Sequence, residues 1–529
     1  MNKFIEKYIN GSLSILLLVF YLVLSWILHR TGYEHSENIF IAEKIKLLFD
    51  STEKNILVTL GTSYPTIVFL SSLIFTPFGY LYAPILASIA LTVMLYYTLL
   101  KDFKESSKLP DFVYIPLLSL LFFLHPGLIY GAISGRGVAA ILVFFYFLFR
   151  SLFRYYRTQT TFYLSMASIY MTCLVFCDFN FIWLLLAFFP FIVLVSLEGL
   201  KINKEQAPIS QYFDSVNNTS QRRKLTNRAV AIYIILFLLP IGALFLFGYL
   251  NDTHAGNQDY FLNSQYANWH VLGNVSIGNI IINDHTNVSY QTQLLFQFYV
   301  IALNPLLLLA FFYFKGKLYE LFTLLAPFIL MAILIINTQY YFMIEYYLVF
   351  LILALVGLSF YANKQFTKKV TWFLVFIAGL LNVFTGIYYF KRTNDREEKV
   401  FFNSIRDYKN WLQEKNYSED YRVAQYITNV ADINNKVLID DAAAFQIVAH
   451  LKSLEGIELP LNKSFGTVIE NPISGVKFIC VAKLSNALKN YTVLNTYNLN
   501  QMEMKGQFIT ELVFDTPNWS VFKIYPLDE

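Results

Sequence analysis

Eleven apolar stretches, near residues 11–30, 82–100, 111–129, 135–150, 160–177, 181–197, 229–250, 292–314, 318–337, 341–361 and 369–390, follow one another along this chain and constrain its fold before any motif is read. About 20 apolar residues rising 1.5 Å each cross a bilayer core, where the helix must satisfy its own backbone polar groups. The expectation is a polytopic α-helical membrane protein of about 11 spans. Composition agrees, with 56% hydrophobic and only 14% charged residues. Net charge is +4, and no Lys/Arg block is interleaved with aromatics, which argues against nucleic acid as a partner. Cys173, Cys177 and Cys480 form neither a disulfide framework nor a metal quartet, and read as packing residues. No small-residue cleavage site follows the first apolar run, so residues 1–30 read as a retained helix.

Charge placement orients the spans, because short cytoplasmic loops concentrate Lys and Arg. Lys101, Lys104 and Lys108, then Arg150, Arg154 and Arg157, then Arg222, Arg223, Lys224 and Arg228 share one side, the cytoplasmic one. Residues 251–290 contain neither Lys nor Arg and fall on the outer side, with the 31–62 loop and everything after residue 390. The segment Tyr64 to Gly79 is short and bounded by prolines, so it lies along the surface or re-enters; as a true span it would move the 31–62 loop to the cytoplasm. After Lys391 the pattern changes. Runs at 437–439, 476–482, 508–514 and 520–525 read as strands, with a helix over 442–454. The chain thus divides into a membrane domain, 1–390, with outer loops 31–80 and 251–290, and an extracytoplasmic α/β domain, 391–529.

The outer face carries the chemistry. Arg136 sits in Ser134-Gly135-Arg136-Gly137, where small residues allow close approach. Its guanidinium matches a phosphate bidentately, or it anchors to lipid headgroups. Glu34 and Glu37 suit a general base near an apolar boundary; alternatively Ser36 caps a helix that Glu37 opens. His35, His125, Asp178 and Asp259 are further candidates with structural alternatives. Glu345, inside the tenth apolar stretch, must face a cavity or a partner. Asp440-Asp441 reads as a helix start. With no Asp-x-Asp or His-x-x-x-His element in these loops, no divalent metal and no cofactor is expected.

Glu34-His35-Ser36-Glu37-Asn38, Tyr64-Pro65-Thr66 with Phe78-Gly79, His125-Pro126 with Ser134-Gly135-Arg136, the run 256–267 and the closing Trp519-Ser520-Val521-Phe522 occur in an order that resembles the GT-C superfamily of membrane glycosyltransferases. The nearest resemblance is to bacterial relatives of the protein O-mannosyltransferases and aminoarabinose transferases. It departs where Ser36 stands for the Asp of the family's acidic pair, and where Gln339-Tyr340-Tyr341 stands for an Arg near a late span. The resemblance implies a bacterial inner-membrane enzyme that transfers a sugar from a polyprenyl-phosphate donor to an acceptor outside. Glu37 would be the base and Glu34 its reserve, and Arg136, with His125, would hold the donor phosphate. Two other classes stay open: a non-catalytic membrane component that binds a partner through its outer domain, and a polymerase or ligase of lipid-linked glycans.

Overall fold

The structure is a computed structural model and describes residues 3–51, 59, 63–107, 109–200, 208–267, 290–314, 318–336, 343–360, 368–393, 395–410, 418–505 and 508–527. The helices that bear on the site are α1 (Lys3–Arg30), α2 (Ser36–Asp50), α3 (Thr66–Leu73), α4 (Ala83–Ser106), α5 (Asp111–Leu124), α6 (Pro126–Ile133), α7 (Val138–Thr158), α8 (Thr219–Ala255), α9 (Pro305–Phe314), α10 (Ile344–Phe360), α11 (Lys369–Arg392), α12 (Arg396–Arg406), α13 (Glu419–Val430) and α14 (Asp441–His450).

Five helices among the described residues are long and apolar enough to cross a membrane: Ile9–Arg30, Ala83–Ser106, Val138–Thr158, Thr219–Ala255 and Lys369–Arg392, or seven spans if each bent pair counts as one. Several of the eleven expected stretches are shorter or broken. One bent pair turns by 62° at His125, because Pro126 biases the residue before it away from helix, and His125 is extended at ψ 114. The other turns by 93° before Pro305. There the side chain of Asn382 replaces the lost backbone bonds, accepting from Leu306 N at 3.0 Å and donating to Leu303 O at 3.2 Å. Residues 181–197 divide into a 3-10 turn and two short helices. Within the Tyr64 to Gly79 segment, α3 has 8 residues, about 12 Å of rise and too little to cross on its own.

Helix α10 is the axis of the bundle, and all 17 of its residues are buried, as an all-round apolar helix must be. Helix α7 packs beside it and carries a buried charge group near its C-terminal end: Asp102 accepts hydrogen bonds from Tyr146, Arg150 and Arg154.

Residues 437–525 form a mixed five-stranded sheet in the order β2-β1-β3-β5-β4: β1 (Val437–Leu438), β2 (Ile457–Glu458), β3 (Phe478–Ala482), β4 (Ile509–Asp515) and β5 (Trp519–Tyr525). β1 runs parallel to β2 and β3; β3, β5 and β4 are antiparallel. Side-chain alternation fills two layers. Val437, Phe478, Cys480 and Val521 face α13 and α14, while Leu438, Ile479, Val481 and Ile524 face residues 465–499. Strand β2 is additional to the four expected strands, and the helix expected over 442–454 ends at His450.

Helix α2 joins the two parts. Residues Glu37 to Leu47 are all buried, and Leu47 enters the apolar cluster beneath α13 and α14. Phe40 meets Phe445 edge to face at 5.9 Å, and Lys46 donates to Ala449 O and Leu451 O at the C-terminal end of α14.

Candidate functional site

The turn between α6 and α7 puts a guanidinium inside the protein. Gly135 adopts φ +71°, open to glycine, and a Cβ there would lie 2.4 Å from Asn38 Oδ1. That backbone brings Arg136 against the N-terminus of α2. Its Nε donates to Glu37 Oε2 at 3.2 Å and its Nη2 to Glu345 Oε1 at 2.5 Å, while Nη1 reaches Tyr130 OH at 3.4 Å. Glu37 Oε1 accepts from Gly137 N at 3.0 Å, at the N-terminus of α7, where the helix dipole favours an anion. Glu37 is 2% exposed, Arg136 3% and Glu345 4%, so the cluster is closed to bulk water.

One guanidinium therefore serves two carboxylates. Burial raises the Glu37 pKa above the usual carboxylate range, and Arg136, His35 and the Gly137 N–H oppose that rise. Such a group takes up a proton readily once its cation is drawn away. Glu345 Oε2 is buried with no hydrogen-bond partner among the described residues.

The other candidate residues lie around this cluster or away from it. Helix α2 begins at Ser36, one residue before the expected start, and its cap is the imidazole of His35, whose Nδ1 accepts from Glu37 N at 3.1 Å. Ser36 contributes its backbone N–H to Glu397 instead. Glu34 sits outside the cluster and pairs with His450 Nε2 at 2.9 Å. His125 caps α6 at the end remote from Arg136, accepting from Gly127 N at 3.2 Å, and its ring packs on Gly386. With Asn304, Tyr347 and Tyr389 it lines a cavity of about 10 Å³, room for one water. Asp178 is buried and accepts from Tyr346 OH at 2.6 Å, next along the chain to Glu345. Asp259 is exposed, on the rim of an apolar groove of about 270 Å³ between α8 and Phe179, Ile182 and Phe261. Gln339-Tyr340-Tyr341 lies outside the described residues.

Two groups escaped the sequence reading. Lys44, 2% exposed, pairs with Glu43 at 3.0 Å and lies 3.7 Å from Asp441. Burial and then Asp441 push the Glu43 carboxyl up to about 8, against the pull of Lys44. Asp440 caps α14 through Ala442 N, as expected of that acidic pair, and also accepts from Thr492 and Val493. The second group is Glu397 with Glu398, in the first turn of α12. Asp395 caps that helix by accepting from Glu398 N at 2.8 Å, and an Asp-x-x-Glu spacing is the available sequence signal. The Glu398 side chain reaches Ile344 N at 2.8 Å rather than turning back on its own helix. No group of three or more His, Cys, Asp or Glu side chains that could hold a metal ion occurs among the described residues.

No protein-family model matches the chain, and no curated protein does. Among solved structures, the crystal structure of the Archaeoglobus fulgidus oligosaccharyltransferase in the apo form is similar at a TM-score of 0.43 and 11% identity, over 91% of this chain and 70% of that one. No residue's role follows from a likeness at that level.

Proposed function

We propose that this chain is a GT-C-type enzyme of a bacterial inner membrane that transfers a glycosyl group from a polyprenyl-phosphate donor to an acceptor on the outer face, with residues 391–529 as an extracytoplasmic domain. The observation that carries the reading is Arg136 held between Glu37 and Glu345, with the Glu37 carboxylate 3.2 Å from the guanidinium. Glu37 takes the proton of the acceptor hydroxyl as its oxygen bonds to the anomeric carbon. The bond from that carbon to the phosphate oxygen breaks, its electron pair stays on the phosphate, and Arg136 neutralises the charge. For this the donor phosphate must draw Arg136 from Glu37, which leaves a buried carboxylate more basic than before.

The test is Glu37→Gln and Arg136→Gln in cells, read as surface glycans and as consumption of lipid-linked sugar. Both variants should insert normally and lose transfer. Unchanged glycosylation by inserted Glu37→Gln protein overturns the reading. The near-complete burial of all three charged groups favours a second reading, a non-catalytic component in which the cluster staples α2 to the bundle. Unaltered glycans with lowered thermal stability would select it. For orientation, reporters fused after Lys54 and after Glu529 should both report outside.

A further inference from the structure

Glu37 and Glu345 sit in the first turns of α2 and α10, helices far apart in the chain, so something must hold those two turns in register on either side of Arg136. The adjacent pair in the first turn of α12 touches both. Glu397 Oε1 accepts from Ser36 N at 3.0 Å, and Glu397 Oε2 lies 2.9 Å from His35 Nε2. His35 Nδ1 already accepts from Glu37 N, so the ring proton is on Nε2, which lies 2.9 Å from Glu397 Oε2 without being aligned on it as a hydrogen bond. Glu398 Oε1 accepts from Ile344 N at 2.8 Å, the residue before Glu345, and its other oxygen meets Thr393 Oγ1 at 2.5 Å. Phe401, further along α12, locks the helix down between Tyr33 and Tyr130, the latter itself within reach of Arg136.

We propose that Glu397 and Glu398 are positioning residues: a two-pronged clamp on the start of the C-terminal part that sets the separation of Glu37 and Glu345 across Arg136. The catalytic half of this claim rests on the function proposed above; the structural half does not.

The two prongs differ in what they tolerate. Glu397 presents both oxygens to N–H groups, one bonded to Ser36 N and the other 2.9 Å from His35 Nε2. In Glu397→Gln one of those donors meets the amide NH2 whichever way the amide is turned. Glu398 faces one N–H and two hydroxyls, of Thr393 and, at 3.4 Å, of Tyr389, and burial with the nearby Asp395 pushes its carboxyl up to about 8. A glutamine there can accept from Ile344 N and Tyr389 OH through its oxygen while its amide donates to Thr393.

The full chain in nanodiscs would be compared as wild type, Glu397→Gln, Glu397→Ala, Glu398→Gln and Glu398→Ala, by amide hydrogen exchange at 36–38 and 344–346 and by transfer kinetics. Glu397→Gln should speed exchange at 36–38 on the order of tenfold, the effect of losing one hydrogen bond to a charged group. It should lower kcat with little change in donor KM, since Arg136 stays in place. Glu398→Gln should match wild type in both, whereas Glu398→Ala should speed exchange at 344–346 and raise donor KM by freeing Glu345 from Arg136. Unchanged exchange in both alanine variants overturns the clamp. So does equal behaviour of the two glutamine variants, or normal kcat in Glu397→Gln when Glu37→Gln is inactive. If Glu37→Gln itself transfers normally, the proposed function falls and the exchange data still decide the clamp.

Discussion

Replacing Arg136 by Met strands two buried carboxylates at once. At 3.2 and 2.5 Å, each ion pair is a gross attraction of about 5 to 7 kcal/mol at an effective dielectric of 20. Desolvation of all three groups offsets most of that in the intact cluster, so the cluster adds little net stability. Removing one partner is different, because the carboxylates keep their desolvation cost and lose the cation. The expected loss is about 3 to 5 kcal/mol, lessened as the carboxylates take up protons. The triple variant Glu37→Gln/Arg136→Met/Glu345→Gln has no charge left to strand and should regain most of that stability while staying inactive. Thermal unfolding in detergent at fixed lipid content, with surface glycans scored in parallel, measures both properties. A single variant as stable as wild type, or a triple variant no more stable than the single, would refute the idea that these charges balance one another within the fold.

Three further outcomes follow from the geometry. Gly137→Ala keeps an allowed backbone but sets its Cβ 2.9 Å from Val68 and 3.0 Å from Glu37 Oε1; a cost of about 1 to 3 kcal/mol and loss of transfer are expected, whereas Gly11→Ala, inside α1 with open space around it, should lower neither stability nor transfer. Lys46→Met leaves two carbonyls at the end of α14 unpaired and should weaken docking of the C-terminal part by about 1 to 3 kcal/mol, read as faster proteolysis of residues 418–527 with the membrane helices intact. Glu43, raised to about 8 from an ordinary value of 4.5, binds its proton more tightly when folded; its contribution is full below about 4.5 and is lost as pH rises to 8, so α2–α14 protection from exchange should fall between about pH 4.5 and 8 in wild type, level off above that, and not fall in Glu43→Gln.

The elements whose stability is local were legible in the sequence. Apolar length marked the helices and short apolar runs marked β3, β4 and β5, whereas the sharp bends before Pro126 and Pro305 fall inside stretches read as continuous spans. Contacts between distant segments were not legible. Only the resemblance put Glu37 and Arg136, 99 positions apart, in one site, and nothing in the sequence reading singled out Glu397-Glu398, whose role shows once α12 is seen against α2 and α10. Lys44 and Lys46, which lie in the 31–62 segment, are buried against the C-terminal part in the fold, a contact that nothing local in the sequence shows. The sheet's short strand β2 escaped because two residues, Ile457 and Glu458, cannot establish a period.

Helix α2 carries one half of an interface whose other half lies some 400 residues later, and this limits how the chain can be recombined. A chimera that exchanges the C-terminal part alone would set Lys44, Lys46 and Leu47 against surfaces that never evolved to receive them. Segment 34–47 and the C-terminal part therefore make a single transplantable cassette, divided in the gene and undivided in space. Drift at Asp441 or at the end of α14 should be answered by drift in the first loop before any change in the helices between.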